Sequence, residues 1–216
     1  MPSVLLSAFE PYDRWTANSS WLALIELTKQ LPDGIKLVTR RYPVDFQTVK
    51  ERLFNDLAAD YDYALFLGQS PGSGRIHLES IAVNVGGTSR HLPDEFVPLV
   101  ADGPVAYRTS LPLPAWAGML RNAGIPTQVS YHAGTYLCNA VFYLAQHYIA
   151  ERRLSTQCAF VHLPLAPSQV TSERQDLPSL STPIVAAALR MLLDELEGLE
   201  LNRASEGPLA DDAGPS

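Results

Sequence analysis

The sequence predicts an α/β protein, a single three-layer α/β/α domain on a mostly parallel twisted sheet. Three observations carry that expectation. Apolar runs of strand length alternate with segments whose apolar residues recur at helical spacing. No internal repeat or linker-like stretch divides residues 1–200. The chain has 216 residues, 46% of them hydrophobic and 18% charged, enough to bury a core without a disulfide or metal staple.

The elements follow in order. Residues 4–9 form a short apolar run that ends in Glu10-Pro11-Tyr12-Asp13, which is turn chemistry. Asn18, Ser19 and Ser20 offer helix caps, and Trp21, Leu24, Ile25, Leu27 and Leu31 then recur at helical spacing until Pro32-Asp33-Gly34. Residues 35–42 read as a strand. Asp45 caps a helix marked by Val49, Leu53 and Leu57. Residues 64–67 are a buried strand leading into the loop 68–74, and residues 76–85 alternate as one further strand.

Residues 86–110, rich in Gly, Pro and Asp, read as irregular, and a loop of that length is usually functional or mobile. A short helix over 112–122 precedes a strand over 127–131. Ala133-Gly134-Thr135 opens a helix running to about Arg153. Residues 158–163 are the next buried strand and 164–181 another long loop. Thr182-Pro183 places a cap and an N1 proline before a final helix to about Leu199. Residues 201–216 are expected to form an acidic, disordered tail.

Net charge is −7, but it is unevenly placed. Residues 194–216 hold seven acids and one base, Arg203, which leaves 16 acids against 15 bases in the rest of the chain. An acidic tail on a nearly neutral body argues against nucleic acid or an anionic membrane as partner. No basic leader precedes residues 4–9, and no apolar run approaches the ~18 residues of a membrane span. The expected location is the cytoplasm. The two cysteines, Cys138 and Cys158, stand in no C-x-x-C or Cys/His cluster, so neither a metal site nor a disulfide framework is expected.

Several residues could carry chemistry. Cys138 falls within the first turn of its expected helix, where unpaired N–H groups and the helix dipole favour a thiolate. Taken by placement alone, the commoner reading of such a residue is a small core residue, as Cys158, at the start of a buried strand, is expected to be. His162 stands near the carboxyl end of its strand, where α/β sheets gather function. It reads as a base or as a satisfied core histidine. His77 shares a strand face with Glu79 and is the second candidate base.

Glu79 lies in an otherwise apolar strand and needs a partner, either an imidazolium or Arg75 or Arg90 in a structural ion pair. The loop from Gly68 to Gly74 lacks the Gly-Lys-Ser/Thr of a phosphate cradle and leads into a strand, so it reads as substrate-lining. Phe9 and Tyr12 are either core or one wall of an apolar pocket.

Together these segments resemble pyroglutamyl peptidase I, a family of cysteine exopeptidases. Ser130-x-x-Ala133-Gly134-x-Tyr136-Leu137-Cys138-Asn139-x-x-x-Tyr143 is similar to the stretch around the family's nucleophile. Phe160-Val161-His162-Leu163-Pro164 resembles the stretch that carries its histidine. Glu79 follows Gln69 by ten residues, the spacing of the family's third catalytic residue. Phe9-Glu10-Pro11-Tyr12, Asn18-Ser19-Ser20-Trp21, Gly103-Pro104-Val105-Ala106-Tyr107 and Leu111-Pro112 match further blocks, so the likeness spans residues 3–200.

The resemblance implies a cofactor-free and metal-free exopeptidase acting after an N-terminal pyroglutamyl residue through a thioester. Cys138 would be its nucleophile, His162 its acid and base, and Glu79 the orienter of the imidazole. Phe9, Tyr12, Gln69 and Arg90 would bind the substrate, and a homotetramer would be the assembly. The alternatives are a cysteine hydrolase of another small lactam or acyl substrate, and a catalytically silent binding homologue.

The chain departs from the family pattern in places. Ser70-Pro71-Gly72-Ser73 replaces Ala-Gly-Gly-Arg after Gln69. His77 and Ser80 flank the glutamate differently, Arg90-His91-Leu92-Pro93-Asp94 is one residue longer, and Tyr12 stands for a pocket phenylalanine. These changes fall on the pocket and leaving-group side more than on the three catalytic positions.

Overall fold

A computed structural model describes residues 1–88, 92–171 and 176–206. The first half of the chain forms β1 (Ser3–Phe9), α1 (Ser19–Leu27), β2 (Lys36–Tyr42), α2 (Phe46–Leu57), β3 (Tyr63–Gln69), β4 (Ile76–Glu79) and β5 (Ile81–Val83). A 3₁₀ turn at Pro93–Glu95 follows. The second half supplies β6 (Ala106–Arg108), α3 (Leu113–Asn122), β7 (Thr127–Ser130), α4 (Leu137–Arg152), β8 (Gln157–Leu163), α5 (Pro167–Val170) and α6 (Thr182–Glu206).

Six strands form one sheet in the order β2-β1-β3-β8-β4-β7, and β5 and β6 form a separate antiparallel pair. Every pairing in the large sheet is parallel except β4 against β8. The expected α/β/α architecture is present. Along β1, β3 and β8 alternate side chains enter two apolar layers, while β4 adds Ile76 and Leu78 to one of them. Val4, Leu6, Leu65, Leu67, Leu78 and Val161 pack with α1, α3 and α6. Leu5, Phe9, Phe66 and Phe160 pack with α2 and α4 on the other face. Burial on both faces explains why β3 and β8 read as continuous apolar runs.

Local chemistry sets the helix starts. Asn18 Oδ1 accepts from the Ser20 N–H at 3.0 Å, and Asp45 Oδ1 accepts from the Thr48 N–H at 2.8 Å, each satisfying a first-turn donor. The cap of α6 is one residue earlier than the sequence suggests. Thr182 is already helical and Ser181 O receives the Val185 N–H at 3.0 Å. That helix also continues past Leu199 to Glu206, so the expected tail begins as helix. Residues 207–216 lie outside the described residues.

The strand expected over 76–85 is two strands. At Ser80 the chain leaves the large sheet, with Ser80 N–H bonded to Ser130 O at 2.7 Å and Ser80 O receiving the Thr109 N–H at 3.1 Å. β5 then pairs with β6, which lies inside the stretch read as irregular. Both halves are extended, so alternation carries no mark of the change of partner. The loop read over 164–181 likewise contains the short helix α5, with a proline in its first turn.

Candidate active site

Cys138 is the second residue of α4. The preceding Tyr136 makes no side-chain capping bond, so the N–H groups of the first turn face outward around the thiol. The next residue, Asn139, is fully buried and locks this helix start to β5. Its Oδ1 accepts from Val83 N–H, and its Nδ2 donates to Val83 O and Val85 O, all at 2.9 Å.

His162 arrives from β8 and Glu79 from β4, and their antiparallel pairing creates the contact between them. Glu79 faces Phe160 and His77 faces His162 across the two strands, so all four side chains share one sheet face. On that face His162 Nδ1 meets Glu79 Oε1 at 2.8 Å, with His162 8% and Glu79 1% exposed. The pair occupies the face against which α4 packs. The Phe160 ring lies 4.8 Å from the His162 ring, centroid to centroid, and limits its movement.

Electrostatics follow from this crowding. Burial by itself lowers the His162 pKa, but negative charge on the neighbouring Cys138 sulfur and on the Glu79 carboxylate outweighs it and pushes the value up to about 10. Burial works against ionised Glu79 too. The His162 imidazole, helped by the Ser130 hydroxyl and by His77, reverses this and holds the carboxyl below its ordinary value. The bond from His162 Nδ1 to Oε1 is the carboxylate's main anchor, with the Ser130 hydroxyl in support. The site therefore favours a charged imidazole between a sulfur and a carboxylate.

Space around the sulfur is tight. A Cβ on Gly68 would fall 2.7 Å from the Phe160 ring and 2.9 Å from Cys138 Sγ, so only glycine lets β3 pass beneath the thiol. Cys158 is a different kind of thiol. It is 5% exposed in the apolar layer, and burial pushes its pKa well above the ordinary value, as expected of a core residue.

Beside Cys138 opens a pocket of about 300 Å³, counting its mouth. Phe9, Tyr12 and Gln69 line it, as the sequence suggests, together with Asn18, Val44, Tyr136 and Leu137. Phe9 is held by the Ser20 hydroxyl, which accepts its N–H at 3.1 Å, and by edge contact with Tyr42. Tyr136 stacks edge-on against Phe46 at 5.4 Å. Burial and the nearby Cys138 raise the Tyr12 hydroxyl pKa to about 12, so it remains a neutral donor.

Arg90 lies outside the described residues. His77, the second candidate base, contacts Ser73 Oγ at 3.1 Å and Gln128 Nε2 at 3.2 Å through its Nε2, away from the sulfur. The alternative ion pair of Glu79 with Arg75 is not formed, since the carboxylate is bonded to His162. Sequence reasoning missed Asn139, Gly68 and Gln169 as supports of the site. Only Asn139, adjacent to the cysteine, carried a local hint. Among the described residues no helix is long and apolar enough to cross a membrane, and no group of three or more His, Cys, Asp or Glu is placed to hold a metal ion.

Comparison with known proteins gives a consistent picture. The model of the family described as pyroglutamyl peptidase matches residues 2–196. A pyrrolidone-carboxylate peptidase of Pseudomonas fluorescens is 37% identical over 199 residues, covering 88% of this chain and 90% of that protein. A pyrrolidone-carboxylate peptidase of Clavibacter michiganensis is 36% identical over 196 residues, with the same two coverages, 88% and 90%. Among solved structures, the pyrrolidone carboxyl peptidase of Fervidobacterium islandicum superposes with a TM-score of 0.86 at 34% identity, over 92% of this chain and 99% of that one. The pyrrolidone carboxyl peptidase of Thermococcus litoralis gives a TM-score of 0.84 at 26% identity, with both chains covered at 100%.

Proposed function

The chain belongs to the pyroglutamyl peptidase family, and from that premise we propose how its own residues hydrolyse the bond after an N-terminal pyroglutamyl residue. Cys138 is the nucleophile, His162 the proton carrier and Glu79 the group that holds the imidazole. One observation carries this reading. Residues far apart in the chain meet as thiol, imidazole and carboxylate, with His162 Nδ1 on Glu79 Oε1 at 2.8 Å and its other edge toward Cys138.

The pyroglutamyl ring enters the pocket lined by Phe9, Tyr12 and Gln69, and the scissile carbonyl lies over Cys138 Sγ. The thiolate attacks that carbonyl carbon. The developing oxyanion is met by first-turn N–H groups of α4, whose dipole favours negative charge there. Arg90 adds to this by family resemblance alone. As the C–N bond breaks, His162 gives its proton to the departing amine, leaving a thioester on Cys138. Water then attacks the thioester with His162 taking its proton, and free pyroglutamate and the thiol are restored. Glu79 stabilises the imidazolium at each stage and keeps its Nδ1 occupied, so that Nε2 is the nitrogen that works.

The lactam has no charge, so the pocket selects by shape and by pairing the ring's N–H and C=O. A site built for such groups rejects a ring that lacks them. A cytoplasmic location and a homotetramer belong to the same proposal. Two free thiols without a disulfide support the first, and resemblance alone supports the second.

The test is release of a fluorophore from a pyroglutamyl amide beside the matching prolyl amide. Hydrolysis of the first and at least about a hundredfold preference over the second is expected. Equal rates on both would remove the pyroglutamyl reading and favour a broader acyl hydrolase.

A further inference from the structure

Backbone groups fix which way the carboxamides beside the pocket point. The Ser19 N–H donates to Gln69 Oε1 at 2.8 Å, and a main-chain N–H can face only an acceptor, so the oxygen of Gln69 must stand there. A second donor reaches the same oxygen, Nε2 of Gln169 at 2.7 Å. Gln169 is itself pinned at both ends of its amide. Its Oε1 accepts from Ala166 N–H at 2.9 Å, and its Nε2 donates to Ala17 O at 3.0 Å. Neither glutamine can turn over without setting oxygen against oxygen and N–H against N–H, so the orientation rests on main-chain chemistry and not on an arbitrary amide assignment.

The consequence lies at the pocket. Gln69 lines it and is 4% exposed. With Oε1 occupied twice, the remaining amide atom is Nε2, which is buried and has the Tyr12 hydroxyl oxygen as its acceptor. A Tyr12 oxygen that accepts from Gln69 keeps its own O–H free to donate to a ligand acceptor in the pocket.

We propose that Gln169 is a positioning residue that sets the hydrogen-bond polarity of the ring pocket: by holding Gln69 Oε1 away, it turns Nε2 to the Tyr12 oxygen and leaves the Tyr12 O–H as the donor that selects a ring bearing a carbonyl acceptor. The role rests on the pyroglutamyl reading above, in which the lactam carbonyl is that acceptor. Gln169 touches neither substrate nor sulfur. It belongs to α5, a few residues beyond His162, and ties the segment after β8 to the end of β3 and the loop before α1.

Kinetics of the full-length chain on a pyroglutamyl and a prolyl coumarin amide test this, with Gln169→Glu as the main variant. A carboxylate at 169 can still accept from Ala166 N–H but cannot donate to Gln69 or Ala17; it repels Gln69 Oε1 and attracts Nε2 against the single remaining Ser19 N–H, so the Gln69 amide turns over and shows its oxygen to the Tyr12 hydroxyl. The expected result is a rise in KM for the pyroglutamyl amide of roughly ten- to a hundredfold, with kcat within about threefold. The ratio of pyroglutamyl to prolyl cleavage falls in step. Iodoacetamide alkylation of Cys138 keeps its wild-type rate, because the thiol and imidazole are untouched, and this readout separates repolarised binding from a collapsed site.

If Gln169→Glu does not fold, Gln169→Met, which keeps the volume and removes one of the two donors to Gln69 Oε1, is expected to raise KM in the same direction by about a few-fold. Unchanged KM in the folded variant, or kcat and alkylation falling together with KM unmoved, overturns the role of Gln169. A wild-type chain that cleaves neither amide overturns the pyroglutamyl reading itself, and the role of Gln169 with it.

Discussion

Glu79 is a carboxylate 1% exposed at the end of β4, and its ionised state depends on His162. The two shifts act at opposite ends of the pH scale. The His162 pKa is raised, so its contribution to folding is complete below about pH 6.5 and is lost as pH rises through about 10. That of Glu79 is lowered, so its contribution is complete above its ordinary value of 4.5 and is lost as pH falls below it. In the proposed mechanism the same pair would keep the imidazolium available into alkaline solution. Glu79→Gln removes the charge while keeping the shape. The alkaline limb of kcat/KM against pH should move toward neutrality by about one pH unit or more. A limb that does not move would mean that Glu79 shapes the site without stabilising the charge.

At the scale of elements, the helix start of α4 and the strands around it must be held in register for the thiol to meet the imidazole. Asn139 does this with three buried bonds to the backbone of β5 and the residue two beyond it. Asn139→Ala takes the side-chain partner from Val83 N–H and Val85 O, while Val83 O keeps the Val85 N–H, and should lower stability by about 2–3 kcal/mol. Denaturant midpoints read that loss, and faster amide exchange at Val83 locates it. A midpoint within experimental error of wild type would mean that water replaces the amide without cost.

These elements also mark what the chain discloses on its own. Strands β1, β3 and β8 and the helix after Asp45 were legible because burial leaves continuous apolar runs and capping leaves a side chain in a fixed place. The direction of β4 was not legible, since side-chain alternation has period but no sign, yet that reversal is what sets Glu79 beside His162. The departure at Ser80 was hidden for the same reason. Cys138 and His162 stood out by placement and by the motifs around them. Gln169 and Gly68 act through contacts with residues distant in the sequence, and no local pattern announces such contacts.

Over the whole molecule, chemistry and charge are kept apart. The family match ends at residue 196, while the acid-rich stretch begins at Asp194, so most of the negative charge lies beyond the matched body. The face that carries the proposed triad instead holds two imidazoles, His77 and His162, beside the Glu79 carboxylate and the Cys138 thiol. Charge kept beyond the matched body suits an uncharged lactam, which gains nothing from electrostatic steering. The two cysteines divide in the same way, one at the open end of a helix and one sealed in the apolar layer with its pKa driven up by burial. The most direct measurement compares hydrolysis of a pyroglutamyl amide by the wild-type chain, Cys138→Ala and Cys158→Ala under one set of conditions. The account predicts that Cys138→Ala loses activity by at least about a thousandfold while remaining folded, and that Cys158→Ala stays within a few-fold of wild type. Activity surviving in Cys138→Ala, or disappearing from a folded Cys158→Ala, would contradict it.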